Sequence, residues 1–125
     1  MQIKKYELTE CEQTIMKCIW DAGEPIPCSS IIKELKEKYK LDYKDTTVYT
    51  FLKNLKEKGF IESERKGITY YTPLRQEEEY RAEILRKTNE FWFNGSLAEY
   101  ITALVKTAKL DTREKDEIKK IINEI

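Results

Sequence analysis

Histidine is absent from this sequence, and glycine and proline are scarce. The 125 residues include no His, four Gly and three Pro. Histidine is the commonest general base in enzymes and the commonest metal ligand, so Ser-His-Asp or Cys-His catalysis and His-containing zinc sites are excluded. The sequence also has no glycine-rich phosphate loop and no metal-ligand spacing. We therefore expect no enzymatic activity, no metal ion and no cofactor.

Cysteine is present but forms no recognisable framework. Cys11, Cys18 and Cys28 are an odd set without a C-x-x-C pair, which is typical of reduced thiols in cytosol. Cys11 and Cys18, seven residues apart, would lie about 10 Å apart along a helix, too far for a direct disulfide. We predict that the three thiols pack as small apolar groups, with redox or metal sensing as the alternative.

Long apolar runs and an excess of charge are lacking as well. No apolar run approaches the roughly 20 residues of a membrane span, and the N-terminal sequence lacks the apolar core of a signal peptide. We expect a cytoplasmic protein without membrane insertion.

The 23 basic residues balance 23 acidic ones. Non-specific electrostatic attraction to nucleic acid is therefore not predicted, and any DNA binding must come from specific contacts that are sensitive to salt.

Capping signals predict two helices in the first part of the chain. Thr9 and Glu12 form a capping box before a helix that ends near Gly23. Residues 24–27 are too rich in proline for a helix and favour a short strand or a straight connector. A second helix opens at residues 28–30.

A third helix carries two chemically different faces. Asp45 is predicted to cap its start, and Gly59 to end it in the left-handed conformation. The apolar face, which can pack in a core, holds Val48, Leu52 and Leu55. The opposite face offers hydroxyls, an amide and an ammonium group from Thr46, Thr50, Lys53 and Asn54. These groups suit a DNA major groove, and an ordinary amphipathic surface helix is the alternative.

A hairpin follows the third helix. Residues 60–65 alternate apolar and polar side chains, Lys66 and Gly67 form a turn, and residues 68–73 are rich in β-forming types. Three helices followed by a hairpin are typical of the winged helix-turn-helix, which makes the third helix the recognition helix. Arg65 and Lys66 at the wing tip are predicted to contact phosphates, with a solvated turn as the alternative.

Three more helices after the wing carry more apolar surface than they can bury alone. We therefore predict a winged-helix DNA-binding domain over residues 1–74 and a helical dimerisation domain over 75–125. The predicted dimerisation residues are Tyr80, Ile84, Phe91, Trp92, Leu97, Ile101, Leu104, Ile118, Ile121 and Ile122. A two-fold dimer would place two recognition helices about 34 Å apart for a palindromic site. Helices that fold back on the winged helix in a larger monomer are the alternative.

Several motifs together resemble the BlaI/MecI family of penicillinase repressors. They are L-T-x-x-E followed by I-M-K-x-I-W, D-T-T-V-Y-T-F-L-x-x-L-x-x-K-G-F-I, and the wing ending Y-Y-T-P. The resemblance covers essentially the whole chain. It implies a homodimeric transcriptional repressor of β-lactam-resistance or related genes, cut in its dimerisation region by a membrane-bound sensor protease. The DNA-binding positions that it implies are Thr46, Thr47, Tyr49, Thr50, Lys53 and Asn54, with the wing around Arg65 and Lys66.

The sequence departs from the family pattern in two places. The family's cleavage site is an Asn-Phe pair in the middle helix of the tail, where this chain has Ala103 and Leu104. Copper-responsive relatives carry a C-terminal cysteine cluster, whereas no cysteine follows Cys28 here. We therefore do not expect cleavage of that specificity or copper sensing of that type.

A protein-interaction module with a helical assembly tail is the alternative function, and the neutral net charge favours it. Salt separates the two hypotheses. DNA binding should weaken steeply between low and physiological salt, whereas an apolar protein contact should not.

Overall fold

Six helices and a three-stranded sheet form the part of the chain that the computed structural model describes, residues 7–125. In chain order these are α1 (Glu10–Ala22), β1 (Ile26–Pro27), α2 (Cys28–Glu37), α3 (Asp45–Glu57), β2 (Ile61–Lys66), β3 (Ile68–Pro73), α4 (Glu77–Phe93), α5 (Leu97–Thr107) and α6 (Thr112–Asn123). The chain divides into two compact units, the first ending at Tyr80 and the second beginning at Arg81. The predicted mainly helical fold with a hairpin wing is confirmed.

The capping box at the start of α1 is present as predicted. The Thr9 side chain accepts a hydrogen bond from the Glu12 backbone N–H, and the Glu12 carboxylate accepts one from the Thr9 N–H at 2.9 Å. Gly23 ends the helix in the left-handed region with φ 69°. Glu12 is itself 2% exposed, so this capping residue also belongs to the interior.

The start of α3 differs from the prediction. Asp45 does not cap the helix, because it is the first helical residue and Lys44 occupies the N-cap position with an extended backbone. The Lys44 carbonyl accepts hydrogen bonds from the N–H groups of Thr47 and Val48, and no side chain caps this end. A carboxylate in the first turn still interacts favourably with the positive end of the helix dipole.

The end of α3 follows the predicted left-handed route. Gly59 has φ 81°, its N–H donates to the Lys56 carbonyl, and the Phe60 N–H donates to the Leu55 carbonyl, both at 3.0 Å. This pair of bonds is a Schellman motif, in which the reversed chain brings the next apolar residue back against the helix. Phe60 is consequently fully buried.

The wing contains one strand more than the predicted hairpin. β2 and β3 pair antiparallel from Ile61 opposite Pro73 to Lys66 opposite Ile68. β1 pairs with the other edge of β3, which gives the strand order β1-β3-β2. The proline-rich segment, predicted to be a strand or a connector, is therefore a short edge strand.

One apolar core fills the first unit. Its most deeply buried apolar side chains, all below 2% exposure, are Ile15, Met16, Ile19, Ile31, Leu35, Val48, Leu52, Leu55, Phe60 and Ile61. Cys18 and Cys28 are buried in the same cluster, as predicted for small apolar packing groups. Cys11 is only partly buried.

The first turn of α4 also packs into this core. The ring of Tyr80 meets that of Phe60 edge to face with centroids 5.4 Å apart, and its hydroxyl accepts a hydrogen bond from the Leu8 N–H at 3.2 Å. The Trp20 indole donates to the Arg75 carbonyl at 2.8 Å. Tyr80 is 7% exposed, so the structure gives this predicted dimerisation residue a place in the first unit's core.

The second unit has little interior of its own. Ser96 and Asp111 cap α5 and α6, accepting hydrogen bonds from the N–H groups of Glu99 and Glu114. Yet α5 and α6 contain no buried residue. Among residues 7–125, no helix is both long and apolar enough to span a bilayer.

Substituting Gly59 tests the left-handed end of α3. No atom lies within 4 Å of a Cβ added there, so the cost of Gly59→Ala comes from the backbone conformation and not from a clash. We expect the free energy of unfolding of the first unit to fall by about 1 kcal/mol, and Gly59→Asn to cost less, because asparagine tolerates this conformation better. Chemical denaturation followed by circular dichroism measures both, and equal stability of Gly59→Ala and the wild type would contradict the assignment.

Candidate nucleic-acid interface

One face of α3 is buried in the core and the opposite face is exposed, as the sequence predicted. Its apolar side packs inward through Val48, Leu52 and Leu55. Solvent reaches the other side, where the exposed residues are Thr46, Tyr49, Thr50 and Lys53, and the partly exposed ones are Thr47 and Asn54. All six predicted α3 positions are therefore accessible to a partner to some extent.

The polar side chains of this face differ in whether they already interact with other residues of the chain. The Thr50 hydroxyl donates to the Thr46 carbonyl at 3.0 Å, so its proton is engaged while its oxygen can still accept a hydrogen bond. Lys53 makes no ion pair with any residue from 7 to 125. Its ammonium group is thus available to an acceptor outside the chain.

Tyr49 lies near the Cys28 thiol and is 52% exposed. The negative charge that Cys28 can carry, followed by burial, raises the pKa of the Tyr49 phenol. The phenol therefore stays neutral, and its exposed ring is a group that a partner can meet.

A second thiol and phenol meet just before α3. The Cys11 sulfur and the Tyr43 hydroxyl oxygen lie 2.8 Å apart. This hydrogen bond is the main cause of the raised pKa of Tyr43. The Tyr43 ring packs edge to face on Phe51 with centroids 5.9 Å apart. Neither pair could be predicted from the sequence, because partners 21 and 32 residues apart share no local pattern.

The wing separates the two cations predicted at its tip. Successive side chains of a strand point to opposite faces, so Arg65 shares a face with Ser63, whereas Lys66 shares one with Glu64. Lys56 of α3 donates to the Ser63 hydroxyl at 2.9 Å, which identifies the Ser63 face as the one nearer α3. Arg65 therefore lies on the side of the recognition helix.

Lys66 is less available than Arg65. Its ammonium nitrogen lies 3.8 Å from a Glu64 carboxylate oxygen, and both side chains are at least 70% exposed. Such an exposed pair is weak, but it places a negative charge beside the cation. Arg65 makes no ion pair with the residues that the structure describes.

No group of three or more Cys, Asp or Glu side chains among residues 7–125 is arranged to hold a metal ion.

The remaining predicted dimerisation residues lie on the second unit's surface. Ile101 and Ile118 are half-buried. The others are exposed to between 37% and 71%, in the order Ile84, Ile122, Leu104, Leu97, Ile121, Phe91 and Trp92. Large apolar side chains exposed this densely are unusual for a surface that faces only water.

A sequence model of the penicillinase repressor family matches residues 8–124. The chain belongs to this family. A penicillinase repressor of Staphylococcus aureus is 23% identical over 126 residues, covering 100% of this chain and 98% of the relative. The protein is thus a DNA-binding transcriptional repressor and not an enzyme, and the family predicted from the motifs is confirmed.

Solved structures agree with the repressor fold. The solution structure of the Bacillus licheniformis BlaI monomeric form in complex with the blaP half-operator is 29% identical, with a TM-score of 0.50. The match covers 59% of this chain and 88% of that one. RosR of H. salinarum is 18% identical with a TM-score of 0.52, over 94% of this chain and 93% of that one. The RosR match concerns the fold alone.

The three thiols of the folded repressor should react at different rates. Burial raises the pKa of Cys18 to about 11 and also raises that of Cys28, so few of these thiols are ionised at pH 8. Cys11, which is partly exposed, should be alkylated first. Mass spectrometry after timed iodoacetamide treatment measures the order, with denatured protein as the control in which all three react. Faster labelling of Cys18 than of Cys11 would contradict this burial pattern.

Proposed function

We propose that the protein is a cytoplasmic homodimeric repressor that binds a palindromic operator of β-lactam-resistance or related genes. The observation that carries this proposal is the solvent-facing polar side of α3, whose Lys53 makes no ion pair with residues 7–125, in a chain of the penicillinase repressor family. The BlaI structure in complex with a half-operator supports a site made of two halves. A dimer presents one α3 to each half.

The side chains of α3 divide between phosphates and bases in this proposal. Backbone N–H groups and the hydroxyls of Thr46 and Thr47 in the first turn suit phosphate oxygens. Thr50, Lys53 and Asn54 lie further along the helix, where an acceptor oxygen, an ammonium group and an amide can meet base edges in the major groove. The exposed Tyr49 ring adds contact area beside them.

The wing contributes one main cation. Arg65 is unpaired within the described residues and lies on the α3 side of the sheet, which fits a contact with the phosphate backbone next to the groove. Lys66 is a secondary contact, because it points to the other face beside Glu64. With zero formal net charge, the protein must obtain its affinity from these few placed contacts and from the second subunit.

The exposed apolar surface of the second unit supports the homodimer. Phe91 and Trp92 are each 71% exposed, and their rings pack edge to face with centroids 4.8 Å apart. Neither α5 nor α6 buries a residue within one chain. A second copy would remove this surface from water, and apolar burial of that kind is the main driving force of stable association.

Release from the operator by an inducing signal completes the proposal. The Ala103–Leu104 bond, which stands where the family has its Asn-Phe pair, lies inside α5, and Leu104 is 54% exposed. A membrane sensor protease acting here would need a different sequence preference and a local opening of the helix. The release step therefore differs in this chain from the family pattern.

Alanine substitutions separate base contacts from phosphate contacts. We expect Lys53→Ala and Asn54→Ala each to weaken operator binding by about 1 to 3 kcal/mol and to blunt sequence preference. Arg65→Ala should weaken operator and scrambled DNA alike and reduce the salt slope by about one, whereas its neighbour Lys66→Ala should have the smaller effect. Gel shifts over a salt series, on a duplex that the wild type enriches from random sequences, measure all four. Wild-type operator affinity of Lys53→Ala would refute the role of α3.

Sedimentation tests the homodimer. We expect the wild type to be a stable dimer at micromolar concentration, and Trp92→Glu to shift it toward monomer, because the interface would have to bury an unpaired carboxylate. Leu74→Glu is the matched control, since it places the same charge at an apolar residue of the first unit that is 52% exposed. A folded wild-type monomer at that concentration, or a Trp92→Glu variant as dimeric as the control, would contradict the proposed interface.

A further inference from the structure

A buried ion pair joins the end of α3 to the start of α1. The Lys58 ammonium nitrogen lies 2.5 Å from Glu12 Oε1 and also donates to the Glu7 carbonyl at 2.9 Å. The Glu12 side chain is 2% exposed and that of Lys58 20%, whereas the Lys17–Glu77 pair leaves its side chains 44% and 31% exposed. Lys58 occupies the C-cap of α3, immediately before the Gly59 reversal.

The same carboxylate oxygen serves both helices. Glu12 Oε1 accepts the Thr9 N–H of the α1 capping box and the Lys58 ammonium group. The negative charge therefore stands at the positive end of α1, and the positive charge at the negative end of α3. A carboxylate buried without donors is costly, so the two donors tie this oxygen to one arrangement of the helices.

The other flank of α3 contacts the same turn of α1. Cys11, the neighbour of Glu12, is hydrogen-bonded to Tyr43, and the Tyr43 ring packs on Phe51 in the middle of α3. Two consecutive residues of α1 thus contact the segments before and after the recognition helix. The placement of α3 in the first unit depends on them as well as on its apolar side.

We propose that the Glu12–Lys58 pair is a positioning contact that sets the pose of α3 for reading base edges. Lys53 and Asn54 precede Lys58 by five and four residues, which is about one helical turn. A shift of the Lys58 end moves both side chains relative to the groove. Lys58 itself is engaged within the protein, so it acts through α3 and not as a phosphate contact. The inference rests on the proposed operator reading by α3.

The test compares specific with non-specific DNA affinity. The probes are a duplex that the wild type enriches from random sequences and a scrambled duplex of equal length, measured by fluorescence anisotropy on protein shown to be folded and dimeric. Loss of folded protein lowers both affinities by the same factor and leaves their ratio unchanged. A displaced α3 lowers the ratio, because only base contacts depend on its pose.

The decisive variant removes both charges together. We expect the double variant Glu12→Gln, Lys58→Met to lower the ratio about tenfold, which corresponds to the loss of one good base contact. Lys17→Met, which removes another paired lysine, should leave the ratio unchanged, and Lys58→Arg should retain most of it. A folded double variant with the wild-type ratio overturns the proposal.

Two further outcomes keep the test decisive. If the double variant does not fold, Lys58→Gln replaces it, because the shorter, uncharged glutamine removes the ion pair with Glu12 and still leaves a polar side chain at this position. The same fall in the ratio is then expected, and an unchanged ratio overturns the positioning role. A wild type that enriches no sequence at all overturns the proposed operator reading, and this inference with it, which distinguishes that failure from a failure of the ion pair alone.

Discussion

The half-burial of α3 is the constraint on which the first unit depends. Val48, Leu52 and Leu55 must be covered by α1, α2 and the residues after Gly59, or the helix has no fixed place. Because these residues and the polar ones lie on opposite sides of the helix, burying the apolar side leaves the threonines, Lys53 and Asn54 facing solvent. The core thus determines which side chains a DNA groove can meet, and the wing and the flanking contacts adjust the position of a helix that is already oriented.

A neutral repressor depends on geometry more than on charge. Many lysines of the first unit are engaged within it, Lys17 with Glu77, Lys38 with Asp21 and Lys58 with Glu12 among them. Lys53 and Arg65 make no ion pair with residues 7–125, Lys53 on the exposed side of α3 and Arg65 on the wing face nearer to it. Few contacts of this kind give modest affinity for one subunit, so two subunits on two half-sites suit this protein better than one basic surface would.

Local signals predicted nearly all of the fold. The capping box at Thr9, the reversal at Gly59 and the turn at Gly67 depend on residues close in sequence, and each is present. Asp45 lies one position after the predicted N-cap, where its carboxylate in the first turn still interacts favourably with the helix dipole. The pairing of β1 with β3 could not be predicted from the sequence, because the two segments are more than 40 residues apart and share no pattern of apolar residues.

The sequence by itself determined the elements, the two faces of α3 and the family, because periodicity, capping residues and motifs are properties of neighbouring positions. Only the tertiary structure decided which side chains meet. It placed Tyr80 in the first unit's core, put Arg65 and Lys66 on opposite faces, and joined Glu12 to Lys58. These contacts follow from how helices pack and how strands alternate, and residues 46 or 72 positions apart carry no local sign of them.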